Sequence, residues 1–109
     1  MKRYCLTLDL KDDTSLIAEY EAYHKSVWPE VLDSINGSGI IGMEIYRYDI
    51  RLFMIMETTD DFSFENKAAM DADNVKVQEW EQLMWKYQQP VKGAIAGEKW
   101  VLMDKIFQL

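Results

Sequence analysis

The sequence predicts an α+β fold on three observations. Alternating apolar runs stand near both ends and in the middle of the chain, two long stretches carry apolar residues three and four apart, and these alternate as strand, helix, strand, strand, helix, strand. At 109 residues the chain suffices for one domain, residues 1–109, and is too short for two ordinary ones.

The first strand is "KRYCLTLDL": Tyr4, Leu6, Leu8 and Leu10 fall on one side, and Arg3, Cys5, Thr7 and Asp9 on the other. "KDDTS" follows with turn and N-cap candidates. Leu16, Ile17, Tyr20, Tyr23, His24, Val27, Trp28, Val31, Leu32 and Ile35 then repeat at helical spacing. Pro29 interrupts them, because its missing N–H and its ring kink a helix or begin a new one just after Trp28. "NGSG" ends the stretch. "IIGMEIYRY" and "RLFMIMET", separated by Asp49 and Ile50, read as a hairpin. The second of these is apolar on both sides, so both faces of that strand should be covered.

"TTDDFSFENKAAMDADN" opens the second helical region, with a break expected near Asp71 to Asn74. The pattern continues through Val75, Val77, Trp80, Leu83, Met84 and Tyr87. A looser piece, "QQPVKGAIAGE", precedes "KWVLMDKIFQL", in which Trp100, Leu102, Asp104 and Ile106 alternate with Val101, Met103, Lys105 and Phe107 as a last strand. The order is the split βαββαβ, ferredoxin-like arrangement, with both helices on one face of an antiparallel sheet. The other face would present Phe53, Ile55 or their alternates to water. A second copy of the chain is the expected cover, two sheets packing into a dimeric α/β barrel.

Composition narrows the function. Apolar residues make up 49% and aromatics 13%, which excludes a disordered chain. A formal charge of −7 with scattered Lys and Arg argues against a nucleic-acid partner. The single cysteine, Cys5, cannot pair within the chain, and a reducing cytoplasmic compartment is expected. Asp9 interrupts the first apolar run before it forms a signal-peptide core, and no segment has the length to span a bilayer, so no membrane association is expected.

One stretch carries candidate chemistry: "EYEAYHKSVWPEV", with the only histidine in the chain. Tyr20, His24 and Trp28 sit at i, i+4 and i+8 and would share a stripe on a continuous helix. Such a stripe reads as a buried helix face with a satisfied histidine. It also reads as the furniture of a sugar site, where aromatic faces cover pyranose C–H groups and polar groups fix the hydroxyls. "EWEQLMWKYQQP" offers the same choice: Trp80 as core or sugar wall, Glu81 as a solvated residue or a polar partner at the pocket edge. One His and one distant Cys give no metal-ligand spacing, and no phosphate loop or nucleophile elbow is present. The expected chemistry is proton transfer or binding without metal or nucleotide.

Tyr20, His24, Trp28 and Pro29 in that spacing resemble the Tyr-x3-His-x3-Trp-Pro signature of the L-rhamnose mutarotase family. The likeness extends over the opening strand, "EIYRYDIRLFMIMET", the second helix and the closing "KIFQL". It implies a ferredoxin-like subunit in a homodimeric barrel that equilibrates the anomers of a monosaccharide, a deoxy sugar, without a cofactor. It further implies His24 as proton donor, with Tyr20 and Trp80 as sugar contacts. Two positions depart: Met43 stands where the family carries a sugar-contacting tyrosine, and Trp80-Glu81 replaces a Trp-Trp pair. L-Fucose is therefore expected at least as readily as L-rhamnose, with Glu81 accepting a hydroxyl that differs between them. Two rivals remain open: a dimeric-barrel oxygenase holding haem through His24, and a non-catalytic sugar-binding module.

Overall fold

β1, Lys2–Leu10, is the middle of the sheet because its alternation serves two faces at once. Its helix-facing residues include Leu6, Leu8 and Leu10, of which the last two have no exposed surface; burying each contributes about 1.5–3 kcal/mol. The computed structural model describes residues 1–109, in the order β1, α1 (Thr14–Tyr23), α2 (Pro29–Gly37), β2 (Ile40–Tyr48), β3 (Arg51–Thr58), α3 (Phe64–Ala72), α4 (Val75–Trp85), β4 (Gln88–Gln89) and β5 (Val101–Leu102). The strands pair in the order β2-β3-β1-β4, with β5 also on β1, and every pairing is antiparallel. This is the ferredoxin-like α+β arrangement that the element order predicts.

Each predicted helix is a pair of shorter ones, for local reasons. The Asp13 carboxylate caps α1 by accepting from the backbone N–H groups of Ser15 and Leu16. That helix stops at Tyr23, with His24 as its C-cap, so Tyr20, His24 and Trp28 do not share one continuous helix; this corrects the stripe expected from their spacing. Trp28 instead caps α2, which begins at Pro29, where a missing N–H costs nothing. Ser63 and Asn74 cap α3 and α4 through Asn66 and Val77, which places the second break where the Asp71 to Asn74 composition predicts it.

The hairpin between β2 and β3 turns on Asp49, whose φ of 53° supplies the left-handed first position of a two-residue turn. Gly39, at φ 99°, admits no side chain after α2, since a Cβ there would lie 2.7 Å from Thr59 Oγ1. The register pairs Thr7 with Phe53 and Phe53 with Tyr46, so Cys5, Thr7, Phe53, Ile55, Glu44 and Tyr46 share the helix-free face. Leu52, Met54 and Met56 point the other way and are buried beneath the helices. Phe53 and Ile55 are only half-buried.

The last strand is much shorter than its alternation predicts. Pairing covers Val101–Leu102, opposite Thr7 and Leu6, and one more bond joins Met103 N–H to the Cys5 carbonyl. Residues 103–109 form no strand and are exposed, with Ile106 and Phe107 largely in water. Extending the ladder would set Asp104 opposite Tyr4, on the side where Phe64 packs edge to face with Tyr4 and with Phe62. Aspartate is depleted in strands, so this step of the ladder gains little from pairing. β4, from the stretch read as loop, takes the rest of that edge through Asp9 and Leu10. The segment 90–100 thus leaves β1 and returns to it.

Candidate active site

Between the sheet and its helices lies a cavity of about 790 Å³, mostly apolar, with Tyr20, His24, Trp80 and Glu81 all on its wall. That volume is within the range of about 300–1,000 Å³ common to small-molecule sites. The packing of α1 and α2 against α4 brings these residues together from two distant parts of the sequence.

His24 owes its placement to the end of α1. Its backbone N–H and its ring Nδ1 both approach the Tyr20 carbonyl oxygen, at 3.3 and 2.9 Å. A carbonyl can only accept, so Nδ1 carries the ring proton and Nε2 is left as an unprotonated, basic nitrogen. Burial lowers the His24 pKa below its ordinary 6.5, partly countered by the bond to Tyr20. The imidazole is therefore neutral at pH 7. It also borders a second recess of about 370 Å³ shared with Tyr20, Ile45 and Arg47, so the ring belongs to the wall between the two spaces.

Tyr20 is 3% exposed, and its ring lies 4.3 Å from that of His24. Its hydroxyl accepts from Gln88 Nε2 at 3.3 Å. Burial raises its pKa to about 12 despite that bond, so the phenol keeps its proton and has it free to donate. Trp80 meets Trp28 edge to face at 5.2 Å and His24 at 5.7 Å. The tryptophan of the Trp-Pro pair thus reaches the site after all, from the start of α2. Glu81 is engaged more firmly than expected: Lys99 Nζ donates to its carboxylate at 3.0 Å and to its carbonyl oxygen at 3.1 Å. Met43, paired with Met56, also lines the cavity.

Sequence reasoning missed many wall residues, Gln88, Lys99 and Trp100 among them. Lys99 and Trp100 lie in the loop that closes the cavity, and Gln88 in the short strand β4. A Gln-Gln-Pro stretch reads as loop, and nothing in its composition marks one glutamine as buried. No cluster of three or more His, Cys, Asp or Glu side chains is arranged to hold a metal ion, and no helix is long and apolar enough to cross a membrane.

The L-rhamnose mutarotase family model matches residues 3–109. The chain belongs to that family. It is an isomerase of the L-fucose/L-rhamnose mutarotase class, which interconverts sugar anomers. An L-fucose mutarotase of Xanthomonas campestris pv. campestris is 45% identical to this mutarotase-family chain over 111 residues, covering all of it and 89% of that relative. In fold, the chain matches the crystal structure of an L-rhamnose mutarotase from Formosa agariphila, with a TM-score of 0.71 at 17% identity over 100% of this chain and 99% of that one. A dimeric ferredoxin-like protein from an uncultured marine organism gives a TM-score of 0.54 at 10% identity, over 98% and 90% of the two chains. The family description and the Xanthomonas relative thus carry the names of two different sugars.

Proposed function

We propose that this protein is a cofactor-independent mutarotase of a 6-deoxy-L-hexose, L-fucose before L-rhamnose, with His24 as the proton-transferring group. The observation that carries this reading is the tautomer of His24: Nδ1–H is tied to the Tyr20 carbonyl, leaving a neutral Nε2 in the wall of a sugar-sized site. Opening the pyranose requires the anomeric hydroxyl to lose a proton while the ring oxygen gains one. A neutral imidazole accepts the first proton as the bond between the anomeric carbon and the ring oxygen breaks, and the imidazolium so formed gives it to that oxygen; after the carbonyl turns, the same two transfers run in reverse and the ring closes on the other face. General acid–base catalysis of this kind contributes about 10²–10⁴-fold.

Tyr20, held as a neutral phenol, donates a hydrogen bond to the sugar, and Trp80 presents indole surface to its C–H groups. Met43 and Glu81 set the sugar preference. The working form is a homodimer closed through the helix-free sheet faces, supported by Phe53 and Ile55 standing half-exposed on a face that no helix of the chain covers. Saturation-transfer NMR of anomeric exchange on L-fucose, L-rhamnose and related aldoses tests the reading. Catalysed exchange, faster on L-fucose, is expected; exchange at the spontaneous rate on every aldose overturns it.

A further inference from the structure

Gln88 is 4% exposed, and its two amide atoms have unequal surroundings. Nε2 donates to the Tyr20 hydroxyl at 3.3 Å, whereas Oε1 is buried with no hydrogen-bond partner, the only buried side-chain nitrogen or oxygen so left. Leaving a buried carbonyl unpaired costs about 1–3 kcal/mol, so an orphan of this kind calls for an occupant. The residue lines the same cavity as Tyr20, His24 and Trp80. Pairing of β4 with β1, Gln88 opposite Leu10, fixes its backbone on the edge of the sheet.

We infer that Gln88 is a sugar-binding and specificity-determining residue, its side chain shifting on binding so that Oε1, buried in the free protein, accepts a ring hydroxyl next to the one that Tyr20 contacts. This rests on the mutarotase reading of the site and adds a residue to it. Tyr20 has spent its acceptor on Gln88 and has a proton to give, while Gln88 has spent a donor on Tyr20 and has an acceptor to offer. The pair therefore presents one donor and one acceptor side by side, the complement of a vicinal diol. A hydroxyl both donates and accepts, so it also satisfies a carboxamide turned by half a rotation. An apolar ligand of the same size would leave Oε1 unpaired and be rejected.

The test is anomer-exchange kinetics on L-fucose and on the three analogues that each lack one ring hydroxyl, at C2, C3 or C4. The wild-type protein should lose about 10-fold or more in kcat/KM on one analogue. Gln88→Met should lose a similar factor on L-fucose, chiefly through KM, and show no further loss on that analogue. A folded Gln88→Met protein that keeps the wild-type KM and the wild-type discrimination overturns the assignment, as expected if a fixed water rather than sugar satisfies Oε1. Should Gln88→Met fail to fold, the assigned side-chain amide resonances of Gln88 in the wild-type protein decide instead. They should shift on saturation with L-fucose and not with the analogue; no shift with either sinks the proposal. Spontaneous-rate exchange by the wild-type protein on every sugar marks the different failure, that of the mutarotase reading, and the Gln88 assignment falls with it.

Discussion

The Tyr20 carbonyl oxygen receives the Nδ1–H of His24 at 2.9 Å, so the candidate sugar contact and the candidate proton carrier are coupled through the backbone of the last turn of one helix. Replacing the imidazole tests that coupling directly. His24→Asn should leave the fold intact and slow anomer exchange by about 10²-fold or more, roughly 3 kcal/mol of barrier. Thermal melts run beside the exchange assay check it: a folded variant with near-normal exchange returns His24 to a packing role.

The pH profile should carry the same signature. Because burial lowers the His24 pKa, the acid limb of kcat should lie below pH 6.5, the ordinary value. Stability follows with a definite sign. Between the lowered native pKa and 6.5 the unfolded chain binds more protons than the native one, so stability falls as pH drops through that window. His24→Asn should flatten this part of the curve in denaturant titrations, and an unchanged slope would assign the acid sensitivity to other groups.

Removing the Tyr20 hydroxyl separates binding from chemistry. Tyr20→Phe should raise KM several-fold while changing kcat less than His24→Asn does. It should also destabilise the fold by about 1–3 kcal/mol, because Gln88 Nε2 then loses its partner inside the core. Steady-state kinetics paired with chemical denaturation measure both, and a kcat loss equal to that of His24→Asn would make Tyr20 a proton carrier too.

Association should depend on the helix-free face. Phe53→Glu or Ile55→Lys should dissociate the dimer or unfold it, since a charge buried without a partner is expensive. Light scattering at micromolar concentration reads the result, and a stable wild-type monomer there contradicts the barrel.

Sugar choice is the fifth test. Glu81→Trp should shift the preference from L-fucose toward L-rhamnose by about 1–3 kcal/mol if the carboxylate meets a hydroxyl that distinguishes them. Lys99 also loses its partner in this variant, so the ratio of the two rates is the quantity to follow rather than either rate alone. An unaltered ratio would place the choice elsewhere in the cavity wall.

What the sequence made legible was whatever depends on local periodicity or on a stop signal. The β1 alternation, the Asp49 hairpin, the Pro29 break and the Asn74 break all arise within a few residues of their cause. His24, Tyr20, Trp80 and Glu81 were singled out because a family signature and a Trp-Glu pair on the second helical stretch drew attention to them, and the fold brings them to one cavity. The end of α1 at Tyr23 was missed because apolar spacing runs on past it through Val27 and Trp28. The short pairing of the last strand and the burial of Gln88 involve partners 68 to 96 positions away along the chain. No local pattern records such pairings.

β1 holds both ends of the segment 90–100, through β4 at one end and β5 at the other, and that segment contributes Glu98, Lys99 and Trp100 to the cavity wall. Its path therefore forms an excursion anchored at both ends to a single strand. Doubling the length of such a loop costs only about 0.6 kcal/mol of closure entropy. Insertions and deletions between Pro90 and Glu98 can thus reshape one side of the candidate site while the sheet register and His24 stay in place. New substrate ranges are accessible to this scaffold by changes in length there, without substitution of any residue on the helix that carries the histidine.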